Sequence, residues 1–192
     1  MQNDLIIAGF GGQGVLLIGK MLAYAGMADG KEVSWLPSYG PEMRGGTCNC
    51  TVVIADRPVG SPVVEHPNAA MVLNLPSLEK FEAMVKPGGV LLVNTSLINK
   101  DAQRTDVRVV KVPANEIANK LGNPRAANMV VLGAYLGATR AVSLAAVEAL
   151  VRETFAAKPK VIDSNLEALR EGYALGEREA AAGKAVPQEV GA

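Results

Sequence analysis

The chain has 192 residues, enough for one domain that buries its own core. Its 19 Lys and Arg balance 19 Asp and Glu and its aromatics reach only 4%, so neither nucleic acid nor an anionic membrane is an expected partner. No apolar run has bilayer length, Met1-Gln2-Asn3-Asp4 does not open a signal peptide, and two cysteines placed this close fit a cytoplasmic chain without a disulfide framework.

Leu5-Ile6-Ile7-Ala8 reads as a buried strand that glycines stop at once. Gly9-Phe10-Gly11-Gly12-Gln13-Gly14 then fits G-x-G-x-x-G between a strand and a helix, the context in which such a turn brings N–H groups up to an anion. A nicotinamide site would add an acid at the end of the second strand, but Glu32-Val33-Ser34-Trp35-Leu36 ends without one. Gly14 to Lys20 matches the spacing of a P-loop, yet Met21 stands where its Ser or Thr belongs and four apolar residues fill it, so that reading is rejected.

The helix from about Gln13 to Ala28 has almost no polar face, and neither has Ala126 to Ala138, where Gly133-x-x-x-Gly137 permits close backbone approach. Such helices are expected to meet a partner surface, or else to cover one another or lie under the C-terminal helix. Between them comes Leu36 to Cys50, which Pro37, Gly40, Pro41, Gly45 and Gly46 predict to be mostly loop. That loop carries Tyr39, Glu42, Met43 and Arg44, each able to make a specific contact.

Thr47 to Ala55 is expected to return as a strand, with Cys48 and Cys50 on one side as small buried thiols; Cys-x-Cys alone completes no zinc or iron–sulfur site. The single His66 reads as a loop residue, and no nucleophile-elbow spacing is present. Strands follow at Ala70 to Leu75, Val90 to Asn94 and Val107 to Val112. They alternate with helices from Pro76 to about Val85, Pro113 to Leu121, Ser143 to about Phe155, and Val161 to about Ala182. This alternation predicts an α/β fold: one Rossmann-like domain over residues 1–183, an open, mostly parallel sheet flanked by helices, with 184–192 as a loose tail.

Gly9 to Val15, Pro37 to Thr47, Asn49, Ser61-Pro62, Val112-Pro113-Ala114 and Ala127-Asn128-Met129-Val130 with Leu132-Gly133 together resemble the gamma subunit or gamma domain of 2-oxoacid:ferredoxin oxidoreductases. The likeness runs over nearly the whole chain except the tail, and the Pro37–Thr47 signature is its most specific part. It implies a gamma-type domain in a multi-subunit enzyme that converts a 2-oxoacid to acyl-coenzyme A and reduces ferredoxin. Thiamine diphosphate, Mg2+ and iron–sulfur clusters are implied for the complex, mainly on partner subunits, with coenzyme A as co-substrate and none bound tightly by this chain alone. Implied partners are alpha and beta subunits, a ferredoxin-like delta subunit as a further candidate, ferredoxin, and a small 2-oxoacid, with 2-oxoglutarate preferred. No catalytic residue or metal ligand is assigned to this chain. The resemblance places Gly11, Gly12, Gln13 and Gly14 with Ser38, Tyr39, Gly40, Pro41, Glu42, Met43, Arg44, Gly45 and Gly46 at a cofactor-binding or active-site interface. Arg44 would hold a carboxylate or phosphate in a bidentate contact. A self-sufficient dinucleotide-dependent reductase and a purely structural assembly subunit are the alternatives.

Overall fold

The computed structural model of the chain describes residues 2–39 and 46–182. Six strands form one sheet in the order β2-β3-β1-β4-β5-β6: β1 (Gln2–Phe10), β2 (Glu32–Tyr39), β3 (Thr47–Ala55), β4 (Ala69–Val72), β5 (Val90–Asn94) and β6 (Arg108–Val112). β1, β4, β5 and β6 pair in parallel, while β3 pairs antiparallel with both β1 and β2. Only β3 therefore runs against the rest, and the sheet is mostly parallel. β1, β4 and β5 are buried along most of their length, as strands flanked on two sides must be.

One correction concerns Leu36 to Cys50. The strand β2 does not stop at Leu36 but continues through Pro37 and Ser38 to Tyr39, in register with Cys48 to Thr51 of β3. β2 lies at the edge of the sheet, with a neighbour on one side only, the place where a strand tolerates the N–H that proline lacks. What the composition marked as loop is in large part a hairpin.

The helices α1 (Val15–Ala28), α3 (Ala114–Lys120), α4 (Ala127–Thr139), α5 (Leu144–Thr154) and α6 (Ile162–Ala182) share one core with Leu5, Ile7, Cys50, Met71 and Leu92. The opposite face is covered by α2 (Leu75–Phe81), whose Leu78 and Phe81 pack on Ile6, Ala8, Val72 and Leu91. The caps explain two of these starts. Asn74 Oδ1 accepts from Ser77 N at 2.9 Å ahead of α2, and Ser143 Oγ accepts from Ala146 N at 3.2 Å ahead of α5.

α4 is buried from Asn128 to Ala138, yet it does not wait for a partner chain. α6 covers it. The two helices approach so closely that a Cβ on Gly133 would fall 2.0 Å from Leu169 O, and one on Gly137 2.1 Å from Tyr173 O. Gly172 and Gly176 of α6 answer them, at 2.0 Å from Val130 O and 2.1 Å from Ala134 O. The partner-surface expectation is thus wrong for α4. α1 differs: Tyr24 and Met27 on its outer side are 47% and 58% exposed, an apolar ridge that no other described residue covers.

Candidate functional site

Two parallel neighbours, β1 and β4, send their helices to opposite faces of the sheet: α1 to one core and α2 to the other. The crevice beyond their carboxyl ends is the place where an open α/β sheet accepts a ligand. The glycine-rich turn Gly9 to Gly14 occupies it. Gly14, at φ 77°, is the residue before α1, a left-handed conformation that favours glycine. A side chain there would also meet Asn128 Nδ2 at 2.2 Å, so Asn128 of α4 packs directly against the turn. Gly9 leaves room for Gln13, whose Oε1 would lie 2.5 Å from a Cβ on Gly9.

Gln13 spends both ends of its amide inside the chain. Its Oε1 accepts from Phe10 N at 2.6 Å and its Nε2 donates to Leu73 O at 3.3 Å. Gly11 N donates to Gly46 O at 3.0 Å, and Gln13 N to Phe10 O at 3.1 Å. Among the described residues no such bond engages the N–H groups of Gly12 or Gly14, and the first-turn N–H groups of α1 have no partner four residues back. These donors stand at the positive end of a 14-residue helix, a geometry that suits an anion.

The turn opens onto a cleft of about 670 Å³ between α1 and the β2–β3 hairpin, lined by Phe10, Gly11, Gly12, Gly14, Val15, Leu16, Leu17, Trp35, Pro37, Thr47 and Cys48. The β1–β3 register sets Phe10 beside Thr47, and the β2–β3 register sets Tyr39 beside Cys48. The Gly9–Gly14 motif and both ends of the Pro37–Thr47 signature, far apart in sequence, are therefore brought to one place. Gly11, Gly12 and Gly14 line the cleft, and Gly46 closes onto Gly11. Gln13 is committed to the turn. Ser38 alternates with Pro37 and lies exposed on the other face of the sheet, away from the cleft. Gly40, Pro41, Glu42, Met43, Arg44 and Gly45 lie outside the described residues, as does the side chain of Tyr39.

The described lining of the cleft is mainly apolar. Burial pushes the Cys50 thiol beneath it up to about 12; the Trp35 indole N–H works against this rise and Cys48 adds to it. That indole N–H is close enough to influence the sulfur but makes no hydrogen bond of normal geometry. Cys48 is likewise raised by burial. Among the described residues no group of three or more His, Cys, Asp or Glu could hold a metal. On the side of β1 away from the parallel β4, its neighbour is the antiparallel β3, where a nicotinamide-binding sheet has the parallel strand whose end carries the ribose-binding acid.

The sequence did not reveal Trp35, Pro37, Leu16 and Leu17 as walls of the cleft, because only the hairpin and the position of α1 bring them together. Asn128 was visible as one of two polar groups in an apolar helix, and that was its signal.

Residues 4–175 match the pyruvate ferredoxin/flavodoxin oxidoreductase family. Ketoisovalerate oxidoreductase subunit VorA of Methanothermobacter thermautotrophicus is 47% identical over 168 residues, 86% of this chain but 35% of that protein. The chain thus spans about a third of the length of this relative. 2-Oxoglutarate synthase subunit KorC of Methanocaldococcus jannaschii is 36% identical over 177 residues, 90% of this chain and 93% of its own. The crystal structure of a keto/oxoacid ferredoxin oxidoreductase gamma subunit from Geobacter sulfurreducens PCA superimposes with a TM-score of 0.82 at 30% identity, covering 93% of this chain and 98% of that one.

Proposed function

The chain belongs to the pyruvate ferredoxin/flavodoxin oxidoreductase family, and within it we propose that it is the gamma subunit of a multi-subunit 2-oxoacid:ferredoxin oxidoreductase. The observation that carries this reading is the meeting of the glycine turn with both ends of the Pro37–Thr47 signature at one cleft. The enzyme decarboxylates a 2-oxoacid with thiamine diphosphate, Mg2+ and iron–sulfur clusters held by alpha and beta subunits, passes electrons to ferredoxin and forms acyl-coenzyme A in the cytoplasm.

This subunit contributes a wall of the active-site interface. The N–H groups at the start of α1, which no described residue engages, receive a phosphate of coenzyme A, and the apolar cleft beside them receives a less polar part of the same molecule. Arg44, Glu42 and their neighbours complete this interface, with Arg44 holding a carboxylate or phosphate. Partner subunits cover the α1 ridge of Tyr24 and Met27 and the bare outer side of the β2–β3 hairpin, where Leu36 is 42% exposed beside half-buried Thr51 and Asn49.

Two substrates compete. 2-Oxoglutarate is supported by the end-to-end match to KorC, while 2-ketoisovalerate is supported by the higher identity to VorA, and we prefer the latter. Steady-state kinetics of the assembled enzyme with 2-ketoisovalerate, 2-oxoglutarate, pyruvate and indolepyruvate decide between them. The expected result is a kcat/KM for 2-ketoisovalerate at least about tenfold above the others. A higher value for 2-oxoglutarate restores the second reading, and turnover of none of the four overturns the assignment.

A further inference from the structure

The Gln13 side chain is a clip at the switch point of the sheet. It closes the glycine turn on one side, through Phe10 N, and ties that turn to the end of β4 on the other, through Leu73 O. The backbone continues the same connection, since Leu73 N donates to Ala8 O at 2.9 Å. The absence of a side chain at Gly9 is what allows Gln13 to fold back, because Gln13 Oε1, Val15 Cγ2 and Leu73 Cβ would all lie within 3.1 Å of a Cβ there.

We propose that Gln13 is a positioning residue: it touches no ligand, but by clamping Phe10 and Leu73 it holds the Gly12 and Gly14 N–H groups in the direction in which they meet an anion. The inference rests on the functional reading of the cleft given above. Without the clip the turn keeps its glycines and therefore its freedom, and the donors lose their fixed aim. A general packing role would be felt throughout β1 and β4. A positioning role is confined to Phe10–Gly14 and to the affinity for whatever the donors bind.

Two variants separate these possibilities. Gln13→Met fills the same space without either hydrogen bond, and Gln13→Glu restores the acceptor for Phe10 N–H but not the donor to Leu73 O. Residue-resolved amide exchange on the full chain is expected to show Phe10 exchanging roughly tenfold faster in the Met variant, with β4 unchanged and Phe10 protection restored in the Glu variant. In the assembled enzyme the Met variant is expected to raise KM for coenzyme A about tenfold with kcat changed by less than about twofold.

Unchanged Phe10 protection in the Met variant overturns the clip. Lost protection with an unchanged KM for coenzyme A overturns the positioning role. Failure of both variants to fold would make the turn a folding element and would also overturn it; if only the Met variant fails, Phe10 protection in the folded Glu variant decides the clip. A wild-type assembly that turns over without coenzyme A would refute the functional reading instead, and the exchange result would still stand or fall separately.

Discussion

Replacing Gly133 with Ala is a one-carbon change that should unsettle the packing of α4 against α6. The added Cβ would fall 2.0 Å from Leu169 O and 2.8 Å from Tyr173 N, both backbone atoms that no side-chain rotation can move aside. To reach even 3.0 Å the helices must part locally by about 1 Å, and the contacts of Val130 O with Gly172 loosen with them. Overpacking of this kind costs about 1–3 kcal/mol, and the immovable neighbours place this case at or above the upper end. Alanine returns about 1 kcal/mol of helix propensity, leaving a net loss of about 2 kcal/mol or more. For a chain of this size that lowers Tm by roughly 4–8 °C. Urea and thermal unfolding of Gly133→Ala, beside Gly60→Ala as a control whose Cβ meets nothing within 4 Å, measure the difference. Gly133→Ala with Gly172→Ala should cost less than the sum of the two, because one separation relieves both clashes. A Gly133→Ala chain as stable as the parent would refute the close-packing account of why α4 is buried.

Alkaline pH should weaken the fold. Cys50 titrates near 12 when folded against an ordinary 9.0, so above about pH 9 the unfolded chain releases a proton that the folded chain keeps, and stability falls as pH rises between those values. The slope is at most about 1.4 kcal/mol per pH unit from this group, and Cys50→Ala should flatten the loss seen by urea unfolding between about pH 8 and pH 10. Tyr135, also raised by burial, adds its own decline above its ordinary 10.0. Arg44→Ala should leave the enzyme assembled on size exclusion yet lower kcat/KM roughly ten- to hundredfold, with Arg44→Lys recovering only part. Intact assembly with unchanged kinetics would remove Arg44 from the site. Calorimetric titration of NADH and NADPH into the isolated chain should show no micromolar site, whereas a clear one would revive the dinucleotide reading.

Much of the fold was legible because its signals are local. Val90–Asn94 reads as a short apolar strand and is one, and the helix expected from Ser143 starts there, with Ser143 capping α5. Pairing was not legible. Nothing in Thr47–Ala55 says that it inserts antiparallel beside β1, and Pro37 looked like a strand breaker because its place at the sheet edge is a tertiary fact. The same limit hid the partner of α4: Gly133 and Gly137 signalled close approach, but Gly172 and Gly176 lay within an amphipathic stretch rich in Glu, Arg and Ala, and only the packed pair shows them facing each other. The glycine motif marked a turn between β1 and α1, and the structure has one there. It could not show that Gln13 is consumed within it, since that depends on Leu73 arriving from β4.

The central claim is that this chain is an obligatory subunit of a 2-oxoacid:ferredoxin oxidoreductase, and reconstitution tests it most directly. The alpha and beta subunits, loaded with thiamine diphosphate, Mg2+ and iron–sulfur clusters, are assayed for ferredoxin reduction that depends on a 2-oxoacid and coenzyme A, first without this chain and then with it. The chain alone should be silent, the partners alone should lack coenzyme A-dependent turnover, and adding the chain should restore it at a stoichiometric ratio. Equal turnover with and without the chain, or robust oxoacid oxidation by the chain alone, would contradict the account.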